Sequence, residues 1–289
     1  INRALELNPN DFSARCVRGD IYWKKGQLDK ALMDLDKAIE LDPNDVFALA
    51  LRGFVYKMKG DYEKALIDLN KAIELDPNYT LALATRGDVY KFKGEYENAL
   101  IDLDKAVELN PNDAYALAVR GEVYRRKGKY SNALDDLNRA LEHNPNDAYA
   151  LAVRGAVYSG KGEYDKALVD LDRAIELDPN YVFALARRGY VYKEKGEYEK
   201  ALVDLDRAIE LDPNDAFALA ARGDVYRRKG ENDKALVDLD KAIELDPNYK
   251  SAIAVRGAVY SGKGENDKAL VDLDRAIELD PNAASALAT

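Results

Sequence analysis

Histidine and cysteine are almost missing from this 289-residue chain, which has only His143 and Cys16. A single cysteine excludes an internal disulfide framework, and a single histidine excludes a multi-histidine metal site. Long apolar runs are absent too: none approaches the roughly 20 residues a membrane-spanning helix needs, so membrane insertion is not expected. There is no basic surplus either. Lys and Arg number 43 against 53 Asp and Glu, a net charge of −10 that argues against a DNA or RNA partner. No serine, cysteine or histidine arrangement pairs a nucleophile with a base, and no glycine-rich loop leads into a phosphate-binding helix. Neither an enzyme nor a cofactor is expected.

Proline is scarce but regularly placed. Pro9, Pro43, Pro77, Pro111, Pro145, Pro179, Pro213, Pro247 and Pro281 recur every 34 residues, each followed by asparagine. A fixed period of this length marks a stack of small units whose core grows with copy number. The pattern predicts a partial repeat at 1–11, then eight repeats at 12–45, 46–79, 80–113, 114–147, 148–181, 182–215, 216–249 and 250–283. The start of another follows at 284–289. Both ends fall inside the pattern, which reads as an excerpt of a longer protein with uncapped ends open to self-association.

One unit, 46–79, shows the local logic. Val46 to Lys59 has apolar and small residues at helical spacing, and Gly60 follows where a helix needs a left-handed stop. A second helix is predicted from about Glu63 to Asp76, closed by Pro77, with Asn78 as N-cap of the next helix. Gly53 lies inside the first helix, where glycine costs about 1 kcal/mol relative to alanine. Close approach of a helix carrying Ala65 and Ala72 is the expected compensation, with Tyr56 filling the seam.

The pattern Gly53, Tyr56, Gly60, Tyr62, Ala65, Leu69, Ala72, Pro77 resembles the tetratricopeptide repeat and recurs eight times from Phe12 to Ala283. The resemblance implies an all-α, right-handed α-solenoid. First helices would line a concave groove that binds a protein or peptide, and second helices would form the convex outside. In the chaperone-adaptor branch of the family a groove lysine helps clamp a peptide C-terminus. The corresponding positions here hold Cys16 or alanine, as at Ala50 and Ala118, which argues against such a clamp. Arginine replaces the family's frequent leucine in all eight repeats, from Arg18 to Arg256, and an aspartate follows each sixteen residues later, from Asp34 to Asp272. Equal copy number favours an Arg-to-Asp bridge within each hairpin over a ligand-binding ladder.

Comparing the copies separates scaffold from variable surface. Residues 167–180, 201–214 and 269–282 share the string ALVDLDRAIELDPN, which indicates recent duplication or consensus construction. Variation concentrates on positions that, by the resemblance, face the groove. One series includes Phe47, Tyr115, Tyr149, Phe183 and Phe217, either a row of binding anchors or packing between repeats. A second reads Asp20, Phe54, Asp88, Glu122, Ala156, Tyr190, Asp224, Ala258 and shows no packing logic. One turn on, Arg125 and Arg126 follow Glu122, and Arg227 and Arg228 follow Asp224. These are either part of a recognition surface or solvated pairs at helical spacing. The expected partner is a protein or peptide of acidic or mixed charge with apolar anchors. The competing reading is a structural array stacking end to end. His143 stands where other copies have leucine and reads as a weakened packing site; Cys16 reads as a small buried thiol.

Overall fold

The structure is a computed structural model that describes residues 1–279. The expected further repeat at 284–289, with Pro281 and Asn282, lies outside the described residues. The chain divides into two compact units, Ile1–Pro145 and a second from Asn146 onward. Among the described residues every regular element is an α-helix.

In the first unit a short helix α1 (Asn2–Leu7) precedes four hairpins: α2 (Phe12–Lys24) with α3 (Leu28–Leu41), α4 (Val46–Met58) with α5 (Tyr62–Leu75), α6 (Thr80–Phe92) with α7 (Tyr96–Leu109), and α8 (Ala114–Arg126) with α9 (Tyr130–His143). The second unit has four more: α10 (Ala148–Gly160) with α11 (Tyr164–Leu177), α12 (Val182–Glu194) with α13 (Tyr198–Leu211), α14 (Ala216–Arg228) with α15 (Asn232–Leu245), and α16 (Lys250–Gly262) with α17 (Asn266–Leu279). Within each unit a first helix packs on its own second helix, on the preceding second helix and on the next first helix, so each unit is a segment of all-α solenoid.

Turn chemistry explains the hairpins. Gly60 has φ +76°, a left-handed conformation that ends α4 at low steric cost. The connection to the next unit differs from the expectation in one respect. Asparagine after proline is not the N-cap; the following residue is, and Asp45 Oδ1 accepts from Ala48 N at 2.7 Å. The asparagine instead occupies a turn in which Asn44 N donates to Asp42 Oδ1 and Asp45 N to Asp42 O. Gly53 fits its predicted role: a Cβ built there would lie 2.7 Å from Leu69 Cγ, and Ala65, Leu69 and Ala72 are fully buried.

The arginine series bridges the hairpins and does more. Arg52 forks onto Asp68 through Nε and Nη2 at 2.7 and 2.8 Å, and its Nη1 reaches back to Asp36 on the preceding second helix at 2.7 Å. Arg188 repeats the arrangement with Asp204 and Asp172. Each such guanidinium joins three helices, and its aspartate partners hold its pKa above the ordinary arginine value. His143 corrects an expectation. It is exposed, as are Leu41, Leu75 and Leu109 at the matching positions, so that site is not part of the core.

Candidate functional site

The first-helix face carries the variable residues. In the first unit it curves inward, because residues two repeats apart meet across the intervening helix. Phe54 of α4 packs edge-on against Tyr115 of α8 at 6.1 Å between ring centroids, and Trp23 of α2 lies 4.9 Å from Phe54 on the other side. Lys57 Nζ sits 4.3 Å from the Phe54 ring, a cation–π distance, and 3.2 Å from the Tyr115 hydroxyl. The hydroxyl in turn donates to Asp88 Oδ2 at 2.8 Å.

Asp88 is the centre of this group. It is 3% exposed, and Lys57 and Lys91 approach its two oxygens at 2.9 and 2.5 Å. Burial opposes its ionisation, but Lys91 and Lys57 outweigh burial and hold the carboxyl below its ordinary value. Two buried lysines on one carboxylate leave a surplus positive charge. Glu122 on α8 repeats the arithmetic: Arg125 Nε and Arg126 Nε lie 2.6 Å from its two oxygens, and Arg126 is within hydrogen-bonding reach of Tyr96. Burial would raise this carboxyl, yet the two arginines bring it down to about 2.

In the second unit Asp224 on α14 takes Arg227 Nη2 at 2.7 Å, Arg228 Nε at 3.1 Å and Lys193 Nζ at 3.1 Å. Lys193 also pairs with Glu194, so three cations face two carboxylates. Nearby, the Arg187 guanidinium lies 3.8 Å from the Phe217 ring centroid and 5.0 Å from that of Phe183. Tyr190 packs on Phe217 at 5.6 Å and carries Lys193 over its ring at 4.2 Å. Tyr249, the N-cap residue of α16, lies close enough to feel the charge of Arg187; burial, the larger effect, pushes its hydroxyl up to about 12.

The sequence-predicted residues therefore divide. The structure brings Phe54 to Tyr115, Phe183 and Tyr190 to Phe217, Glu122 to Arg125 and Arg126, and Asp224 to Arg227 and Arg228. Phe47 stands 39% exposed on α4, and Tyr149 is half-buried on α10. Two expectations need correction. The acidic pairs are not solvated, since Glu122 and Asp224 are 2% and 5% exposed. Nor does the second series lack packing logic: Asp88, Asp224 and Phe54 each meet the residue 31 positions earlier, Lys57, Lys193 and Trp23. Sequence reasoning placed Lys57 and Lys193 among the basic residues of this face but missed their pairing with Asp88 and Asp224, and it missed Arg187. Comparison at an offset of 31 would have found those pairings, and Arg187 is the one charged residue in the series Val17, Leu51, Thr85, Val119, Val153, Arg187, Ala221, Val255.

Cys16 is buried, and its thiol is pushed up to about 12 by burial first and by Asp45 and Asp34 next, so little thiolate forms at neutral pH. Among the described residues no His, Cys, Asp and Glu side chains group to hold a metal ion, and no helix is long and apolar enough to cross a membrane.

Comparison with known proteins agrees with this architecture. A family model described as "Tetratricopeptide repeat" matches residues 46–79, 114–147, 148–181 and 182–215. One described as "TPR repeat" matches 19–60, 87–128 and 223–264, and further tetratricopeptide models match 205–237 and 251–283. No curated protein matches the sequence. Among solved structures the chain is similar to a tetratricopeptide repeat protein from Parabacteroides merdae ATCC 43184, with 22% identity, a TM-score of 0.60, and coverage of 86% of this chain and 98% of that one. It is similar in fold to a chain of the APC/C hetero-tetramer Cut9–Hcn1 at 18% identity and a TM-score of 0.79, covering 96% of this chain and 54% of that one. YrrB, titled a TPR protein with an unusual peptide-binding site, is 31% identical over 65% of this chain and 97% of its own, with a TM-score of 0.45. The family-model matches, which together span most of the chain, establish that it belongs to the tetratricopeptide repeat family, typically a non-catalytic scaffold fold for protein interactions.

Proposed function

We propose that the first-helix face of each unit binds a peptide or an extended protein segment of acidic or mixed charge with apolar anchors. The observation that carries this reading is the surplus cation at each carboxylate cluster. Asp88 is held by two lysines, and Glu122 by two arginines, within a chain of net charge −10. A positive face on a negative molecule steers acidic segments toward it. The rings beside these clusters add apolar contact. Phe47 is exposed and Tyr115, Tyr149, Phe183 and Phe217 are half-buried, so they offer surface to a ligand while resting on the scaffold.

The test is a peptide array of acidic, basic and neutral sequences with and without aromatic anchors, followed by titration of the best binder. Replacing Tyr115, Tyr149 and Phe183 with alanine is expected to weaken binding at least tenfold, while exchanging charges on the second helices changes it little. Unchanged affinity in the triple variant, or a preference for basic peptides, would reject the groove reading.

A further inference from the structure

Arg187 stands at a position that the other repeats give to uncharged residues. Leu51, Thr85, Val119, Val153 and Ala221 occupy it elsewhere, and all five are buried. A guanidinium there carries a desolvation cost that a valine does not. The hairpin has no need of it as a bridge, because the next residue, Arg188, already joins α11, α12 and α13 through Asp172 and Asp204.

Aromatic rings hold the group in place. Phe183, one turn earlier on α12, has its ring centroid 5.0 Å from Arg187 Cζ, and Phe217 on the next first helix, α14, has its own at 3.8 Å. At 3.8 Å the guanidinium rests on the ring, and its N–H donors lie in its own plane, directed along the ring face rather than into it. Tyr190, packed on Phe217, and Tyr249 both feel its charge. Its Nε is covered, while the residue as a whole is half-buried.

The acids of this region hold partners of their own. Asp224 takes Arg227, Arg228 and Lys193, and Glu194 pairs with Lys193. Asp215 and Asp246, whose charges reach Tyr249, accept backbone N–H groups: Asp215 those of Phe217 and Ala218, and Asp246 that of Asn248.

We propose that Arg187 determines specificity in the second unit, its guanidinium receiving the side-chain carboxylate of a glutamate or aspartate that has apolar residues before and after it in the bound segment. This deepens the groove reading and rests on it. A single planar fork matches a carboxylate, whereas Lys193, Arg227 and Arg228, which a phosphate dianion would call on, are committed to Asp224 and Glu194. Phe183 and Phe217 belong to successive first helices, so apolar surface flanks the guanidinium and the ligand chain runs past it rather than ending there. The same rings keep water from the ion pair and strengthen it relative to one on an open surface.

The experiment uses the tightest acidic peptide of the array described above. Its companions carry glutamine or asparagine at each acid in turn, an amidated C-terminus, or phosphoserine at the acid that matters most. Fluorescence anisotropy on the native chain is expected to show one acid whose neutral replacement weakens binding about tenfold. In Arg187→Val that same replacement is expected to change affinity less than about twofold, since the two changes remove one interaction. Arg187→Lys keeps the charge without the fork and is expected to fall between. Val119 and Val153 occupy the same place in other repeats, so Arg187→Val keeps its fold, which a thermal melt checks.

Discrimination retained in Arg187→Val overturns the proposal, as does loss of the neutral peptide together with the acidic one, which marks a structural role. Sensitivity to the amidated terminus in place of an internal acid, or tighter binding of the phosphoserine peptide, overturns it too. A native chain that binds neutral aromatic peptides as tightly as acidic ones removes this proposal and leaves the groove standing; one that binds no peptide removes both.

Discussion

Lys57 Nζ lies 2.9 Å from Asp88 Oδ2, both side chains under a tenth exposed, and the pair ties α4 to the next first helix, α6. Its charge balance is lopsided because Lys91 shares the same carboxylate. Lys57→Met leaves one lysine on one aspartate, whereas Asp88→Leu leaves two buried lysines facing each other. Removing one partner of a buried pair costs about 3–5 kcal/mol when it strands a charge. Asp88→Leu is expected in that range and Lys57→Met at less than half of it. Urea unfolding of both variants checks the order.

Glu122 makes stability depend on pH in a defined window. Its folded pKa of about 2 lies below the ordinary 4.5 because Arg125 and Arg126 outweigh the effect of burial. A depressed carboxyl contributes stability that is fully present above the unfolded value and is lost as pH falls through the folded one. The advantage of the native chain over Glu122→Gln is therefore expected to be constant above about pH 5.5 and to shrink steadily toward pH 2. Thermal melts of both proteins across that range supply the comparison, and parallel curves would contradict it.

The hairpin architecture is legible in the sequence while the contacts between repeats are not, and the division has a physical cause. Pro43, Gly60 and Gly53 act through their own backbone geometry, so hairpin ends and helix approach follow from residue type and position. The bidentate bridge from Arg52 to Asp68 was legible because its two members recur together within one repeat. Asp36 was not, since it belongs to the preceding repeat. The same reason hid Lys57 beneath Asp88 and Trp23 beneath Phe54: contacts between neighbouring units relate residues 31 apart, which a comparison at 34 does not align. Burial of Glu122 was illegible because pairing with Arg125 and Arg126 looks alike on an exposed helix and on a covered one.

The Arg120 bridge offers a cleaner double-mutant cycle. Its Nε and Nη2 bond Asp136 at 2.7 and 2.8 Å, and Nη1 reaches the more exposed Asp104 at 2.9 Å. Arg120→Leu strands a buried Asp136 and is expected to cost about 3 kcal/mol or more, while Arg120→Leu with Asp136→Leu costs less because no charge is left without its partner. Equal melting temperatures for the single and double variants would show that the bridge carries no coupling.

Two glycine-to-alanine changes should differ in sign although both sites are helical. At Gly53 the new Cβ lies 2.7 Å from Leu69 Cγ, 3.0 Å from Leu69 Cδ2 and 3.3 Å from the Ala65 carbonyl oxygen, so the fully buried Leu69 must move or α4 must shift off α5. Overpacking of that kind costs about 1–3 kcal/mol, which exceeds the gain of about 1 kcal/mol from alanine's helix propensity. At Gly262, the last residue of α16, a Cβ meets nothing within 4 Å, and only the gain remains. Gly53→Ala is therefore expected to lower the melting temperature and Gly262→Ala to raise it slightly. A stabilised Gly53→Ala would mean that the helices of that hairpin do not need glycine to approach as closely as they do.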